Sequence, residues 1–143
     1  MTALAEELEK EGYVLRSGGA EGADLAFSRG VSNSKNKKIY FDSDIEHDVY
    51  GTAEQADKIL QETHPRIDRI AKGTRSRHLL ARDGYQVFGE RFDSPAAFVV
   101  CWTKDGVVSY EQTTADTGGT GQAIRLASRK GIPVINMADP NWR

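Results

Sequence analysis

Three glycines in four residues, Gly118, Gly119 and Gly121, sit in the stretch Thr117-Gly118-Gly119-Thr120-Gly121-Gln122. An apolar, helix-periodic run follows at once: Ala123-Ile124-Arg125-Leu126-Ala127. Glycine reaches positive φ without penalty and lets a ligand approach the backbone. A helix that opens directly after such a loop presents N–H groups and the positive end of its dipole. That combination suits an anion, a phosphate above all. A plain glycine-rich turn opening an amphipathic helix would share the pattern. Here, however, a second loop, Ser17-Gly18-Gly19-Ala20-Glu21-Gly22-Ala23-Asp24, occurs in the same local setting. Asp24 could bind a ribose hydroxyl or cap its helix. Arg75, Arg77, His78 and Arg82 crowd into eight residues. His78 and Arg82, four apart, share a helix face. The cluster reads as a cationic wall aimed at an anion, or as a solvated face partnered by Asp83 and Glu90. Arg82 and Arg125 are the cations expected at a phosphate, with Arg125 equally placed to be solvated on its helix.

Other chemistries find less support. Cys101 is the single cysteine and lies in Phe98-Val99-Val100-Cys101-Trp102, so it reads as a small buried hydrophobe. His47, His64 and His78 lack metal-ligand spacing, and no metal or cofactor is expected. Asp42 to Asp48 is acidic without the glycine of a calcium loop and reads as a loop. Ser32 to Lys38 reads as a solvated basic loop. A net charge of −2 and a pI near 5.9 argue against a broad nucleic-acid-binding face. No stretch approaches a membrane span or a secretory leader, which makes the cytoplasm the expected location.

The elements that must position these loops alternate. A helix is expected over residues 2–11, with Thr2 as N-cap and Gly12 as stop, then a strand at 13–16 and a helix from Asp24 to Gly30. A short strand at 39–41 and a helix at 52–63 follow, with Pro65 separating a second short helix that runs to Gly73. Leu79, Leu80, Val87 and Phe88 give a helical face despite Gly84. A buried strand is expected at 97–102 with a short extension at 107–110, then the glycine loop, its helix through Arg129, and a last strand at 132–137. Helices and strands in alternation with short connections imply a parallel α/β sheet. The 143 residues fit one domain, residues 1–143.

Ser17-Gly18-Gly19-Ala20-Glu21-Gly22-Ala23-Asp24 resembles the Ser-Gly-Gly-Ala-x-Gly-Ala-Asp signature of the SLOG superfamily, which includes DNA-processing protein A (Smf) and the Lonely Guy phosphoribohydrolases. Gly118-Gly119-Thr120-Gly121 resembles its second signature, Gly-Gly-x-Gly-Thr. The likeness covers nearly the whole chain. It is closest to small phage and bacterial members carrying the Leu-x-x-Arg-(Asp/Asn)-x-Tyr-Gln-Val pattern seen from Leu79 to Val87. It implies a Rossmann-like three-layer fold with a mainly parallel sheet and a nucleotide-like ligand at the sheet's C-terminal edge. Homodimers are also implied. The ligand-binding set implied is Ser17, Gly18, Gly19, Asp24, Arg82, Gly118, Gly119, Thr120, Gly121 and Gln122. Relatives often begin with a strand and an Ile-Gly-Ser-Arg-like turn that this chain does not carry.

In Lonely Guy enzymes an arginine and a glutamate support cleavage of the base–ribose bond. Arg82 falls at the arginine position, but Arg125 stands where the glutamate would be, and Gln122 replaces the threonine. Glycosidic cleavage needs a carboxylate to steady the developing cation or to activate water. The nearest substitutes are Glu111, Asp116 and Asp24, and the catalytic set of an enzyme would be Arg82, Glu111 and Asp116. The leading expectation is therefore a nucleotide-binding sensor or sequestering module. The alternative is a nucleotide N-glycosidase, with single-stranded DNA binding third.

Overall fold

The chain is seen in a computed structural model that describes residues 1–20, 22–114 and 117–142. It divides into two compact units, Met1–Phe41 and Asp42–Arg143. In the first, helix α1 (Thr2–Lys10) precedes strand β1 (Leu15–Ser17), helix α2 (Ala23–Gly30) and strand β2 (Lys37–Ile39). β1 and β2 pair in parallel, with Leu15 opposite Lys37 and Ser17 opposite Ile39. This is a strand–loop–helix–strand unit with the first glycine loop between β1 and α2. α1 lies against α2 at Gly30, where an added Cβ would stand 2.6 Å from the Cβ of Ala5. Glu9 ties α1 to the segment ahead of β2. It accepts from Ser32 N and Oγ, Asn33 N and Asn36 Nδ2 at 2.9–3.0 Å. Those bonds, Asn36's first, hold its carboxyl down at about 2.

The second unit contains α3 (Asp42–Glu46), α4 (Ala53–Thr63), α5 (Arg75–Phe88), β3 (Val99–Cys101), α6 (Thr120–Arg129) and β4 (Val134–Asn136). β3 and β4 pair in parallel, Val99 opposite Val134 and Cys101 opposite Asn136. α6 is thus the crossover between two parallel strands, and the second glycine loop opens it. Val87, Leu126 and Ala127 form a core against Ile59, Phe88, Val99, Ala123, Ile132 and Val134. Gly84, inside α5, gives room to the ring of Phe92, which would come 3.1 Å from a Cβ there. Phe92 and Tyr50 both pack on the buried Tyr85.

The alternating, parallel α/β reading therefore holds as two parallel strand pairs, with shorter strands than expected. Several local expectations change. Residues 42–46 are helical, because Asp42 and Asp44 occupy the first turn and Ile45 anchors it from inside. Residues 34–36 form a 3-10 turn and Lys37 begins β2. The helix expected up to Gly73 is only a 3-10 turn at Ile67–Arg69. No strand forms at 107–110; a 3-10 turn covers Tyr110–Gln112. Thr2 is the first residue of α1 rather than its cap, and its hydroxyl donates to the Ala26 carbonyl at 3.0 Å. Among the described residues no helix is long and apolar enough to cross a membrane.

Candidate functional site

Each glycine loop sits at the carboxyl end of a strand, at the start of the helix that follows. In the first unit, Gly19 and Gly22 take φ values of 68° and 84°. A side chain on Gly19 would come 3.0 Å from Ile39 Cγ2, so position and torsion both select glycine. Asp24, in the first turn of α2, accepts from Ala20 N at 3.2 Å and closes the loop on itself. Ser17 is buried and its hydroxyl accepts weakly from Gly19 N at 3.4 Å.

The second loop is built more elaborately. Gly118 has φ 88°, and Gly119 is already helical at the N-cap of α6. Gly121 N and Gln122 N bond back to the carbonyls of Gly118 and Gly119. The N–H groups of Gly118, Gly119 and Thr120 have no partner among the described residues, and all three residues are exposed. No acidic residue occupies the first turn of α6. An anion would complete this end of the helix.

Behind the loop lies a polar network. Asn136, at the end of β4, donates from Nδ2 to Thr103 Oγ1 at 2.7 Å and to the Val107 carbonyl at 2.8 Å. Its Oδ1 accepts from Thr103 N at 3.2 Å. Thr103 Oγ1 donates to Asp105 Oδ1 at 2.8 Å, and Thr117 Oγ1 donates to Asp105 Oδ2 at 2.7 Å. Thr117 Oγ1 in turn accepts from Thr114 N at 2.9 Å. Asp105 therefore straps the glycine loop to the carboxyl edge of the strand pair. Burial pushes its carboxyl up, but the Thr117 and Thr103 hydroxyls outweigh that and hold it below the ordinary value.

Arg125 is neither solvated nor turned outward. It is 3% exposed. Its Nε donates to Thr113 Oγ1 at 3.1 Å, Nη2 to the Thr114 carbonyl at 3.4 Å and Nη1 to Gln122 Oε1 at 3.5 Å. Nη2 lies 3.3 Å from the position of a Cβ on Gly121, directly under the loop. Among the described residues no carboxylate oxygen lies within 4 Å of it. Burial lowers its pKa, opposed by the more distant Tyr110 and Asp83. Burial also depresses the His64 imidazole, with the fields of Arg125 and Arg77 adding to it.

The other expected site residues are scattered. Gln122 is wholly buried, and its Nε2 donates to Thr63 Oγ1 at 2.6 Å. Arg82 is largely buried on α5 with Nη2 3.6 Å from Asp83 Oδ1. The cationic wall is not continuous, because Arg77 turns inward. Arg77 Nε and Nη2 bond Asp57 at 2.6 and 3.0 Å, and Nη1 bonds the Ile70 carbonyl at 2.7 Å. Glu111 is exposed on the 3-10 turn Tyr110–Gln112. Asp116 lies outside the described residues. Cys101 is buried as expected, and burial, with Asp105 adding, pushes its thiol up to about 12. Sequence reasoning missed Thr103, Asp105 and Asn136 as builders of the site. The available signal was a polar residue at or just past the end of each apolar strand.

Among the described residues no group of three or more His, Cys, Asp or Glu side chains could hold a metal ion. Comparison of the chain with family models, curated proteins and solved structures finds no match.

Proposed function

We propose that the protein binds a nucleotide or nucleotide-derived ligand, as a sensor or sequestering module of Rossmann-like, SLOG-type architecture. In this reading the N–H groups of Gly118, Gly119 and Thr120 receive the ligand's phosphate. The observation that carries it is Arg125. A guanidinium buried with no carboxylate beside it among the described residues costs folding energy. Set under a loop whose N–H groups have no partner among the described residues, its charge acts on whatever sits above them. A unit charge pair about 6 Å apart at an effective dielectric near 20 is worth about 3 kcal/mol. Asp105 offsets part of this potential, but both its oxygens are covered by threonine hydroxyls.

The test is a thermal-shift and calorimetry panel of nucleoside mono-, di- and cyclic phosphates and ADP-ribose-type ligands, run on wild type and on Arg125→Met. The expected result is binding by at least one class and a loss of about tenfold or more in the variant, whose midpoint moves by only a few degrees. No binding by any class, or equal binding by wild type and variant, would refute the reading.

A further inference from the structure

The connection between α4 and α5 carries a cation at every third position: Arg66, Arg69, Lys72 and Arg75. All four are exposed. Asp68 is the single acidic residue from 64 to 78, in a chain whose net charge is −2. The residues between the cations anchor the segment. Ile67 and Ile70 are partly buried, and their carbonyls accept from Nη1 of the buried Arg77 at 3.3 and 2.7 Å. Arg77 is in turn clamped on Asp57 of α4. Arg66 N donates to His64 Nδ1, and Thr74 Oγ1 donates to the Ala71 carbonyl while accepting from Arg77 N. Arg66 and Arg69 bracket the 3-10 turn Ile67–Arg69. In such a turn residues three apart stand one above the other, about 6 Å apart along the axis. Among the described residues neither arginine has a carboxylate oxygen within 4 Å. Lys72 Nζ is 3.9 Å from Asp57 Oδ2 and Arg75 Nε is 3.4 Å from Asp42 Oδ2, with the two cations 75% and 79% exposed. Pairs so exposed contribute little and yield to a stronger anion.

Which polyanion the segment suits follows from the rest of its composition. Residues 64–78 hold no Phe, Tyr or Trp, so an unstacked base finds no ring to rest on. None of the exposed large hydrophobic side chains lies there to enter a lipid surface. Three of the four cations are arginines, whose planar fork matches phosphate. A duplex keeps its bases stacked inside and its phosphates outside, and such a strip contacts phosphates alone. We propose that Arg66, Arg69, Lys72 and Arg75 form a contact strip for the phosphate backbone of a double-stranded nucleic acid, independent of base sequence. The strip shares no residue with the glycine loops and does not rest on their binding a nucleotide.

The experiment is fluorescence anisotropy of a labelled mixed-sequence DNA duplex, titrated with the full chain over a range of salt concentrations. Four phosphate contacts give a slope of log affinity against log salt of about −3.6, a loss of roughly a hundredfold between about 50 and 200 mM. The double variant Arg66→Gln, Arg69→Gln removes two contacts and should bring the slope to about −1.8. Lys72→Gln with Arg75→Gln should do the same. Lys10→Gln with Lys130→Gln changes the net charge equally at exposed positions outside the strip and should leave the slope unchanged. Thermal melts followed by circular dichroism confirm that each variant folds. Absence of duplex binding at low salt overturns the proposal. So does an equal loss in the Lys10, Lys130 variant, because net charge and not the strip then governs binding. Tighter binding of a single strand of the same sequence, or of phosphatidylserine vesicles in place of the duplex, gives the strip another partner and overturns it as well.

Discussion

Replacing Asp105 by Asn tests whether the glycine loop is strapped to the strand edge as described. The proton positions around Asp105 are determined. Thr103 Oγ1 accepts from Asn136 and Thr117 Oγ1 accepts from Thr114 N, so each hydroxyl proton points at the carboxylate. An amide can accept from only one of them. Its NH2 must face the other oxygen, which then has to redirect its proton. One hydrogen bond of charge-assisted type is lost and the other becomes neutral. Buried, such a change would cost about 3 kcal/mol. Asp105 is exposed to solvent, and screening reduces the cost to about 1–2 kcal/mol. For a chain of this size that is a fall in Tm of about 3–6 °C.

The pH dependence has a definite sign. The folded carboxyl titrates below its ordinary value of 3.8. The unfolded chain therefore takes up the proton first as pH falls, and the native state is stabilised wherever the group is ionised. The contribution is fully present above about pH 5 and disappears as pH drops through the folded value. Unfolding by urea, followed by circular dichroism at several pH values, should show wild type and Asp105→Asn separated at pH 7 and converging below about pH 4. A gap of the same size at pH 3, or no gap at pH 7, would refute the assignment.

Two other substitutions or reactions probe the frame. Gly30→Ala inserts a methyl group where Ala5 Cβ is 2.6 Å away, so thermal unfolding should reveal a loss of about 1–3 kcal/mol; an unchanged midpoint would mean that α1 and α2 are not in close contact. Cys101, with its thiol pushed up to about 12 and buried, should resist a thiol-disulfide reagent at pH 8 and react fully once urea unfolds the chain. Prompt stoichiometric labelling of the native protein would contradict its burial at the end of β3.

The glycine loops, their following helices and the parallel strands were legible because their causes are local. A strand, a glycine run and a periodic helix are written in consecutive residues, and Gly19, Gly22 and Gly118 do take positive φ. The short helix at Asp42–Glu46 was not legible. Five residues show no period, and only the burial of Ile45 fixes the turn. Arg77 was misread as surface because its acceptors are remote. Asp57 is twenty positions away and the Ile70 carbonyl seven. The same holds for Asp105 and Asn136. Asp105 reads as an ordinary Asp-Gly turn until Thr103 and Thr117 are brought to it from either side.

Arg125 shows most clearly how a pattern and its physical meaning diverge. Helical periodicity ranks Ile124, Leu126 and Ala127 as interior and leaves Arg125 either at a phosphate or in solvent. α6, however, is enclosed on nearly all sides, with Gly121, Gln122, Ile124, Arg125, Leu126 and Ala127 all buried. A helix buried all round must carry its polar residues inward, and acceptors must then come from elsewhere, here from Thr113, Thr114 and Gln122. On the proposed SLOG resemblance, position 125 is where a cleaving enzyme keeps its glutamate. A carboxylate there would steady positive charge growing on a sugar carbon. A guanidinium there opposes that charge and favours an anion that arrives with its charge already formed. On that proposal, an arginine at position 125 disfavours the transition state of bond cleavage and favours the intact phosphate. For that reason binding, rather than hydrolysis, is the activity the site is proposed to have.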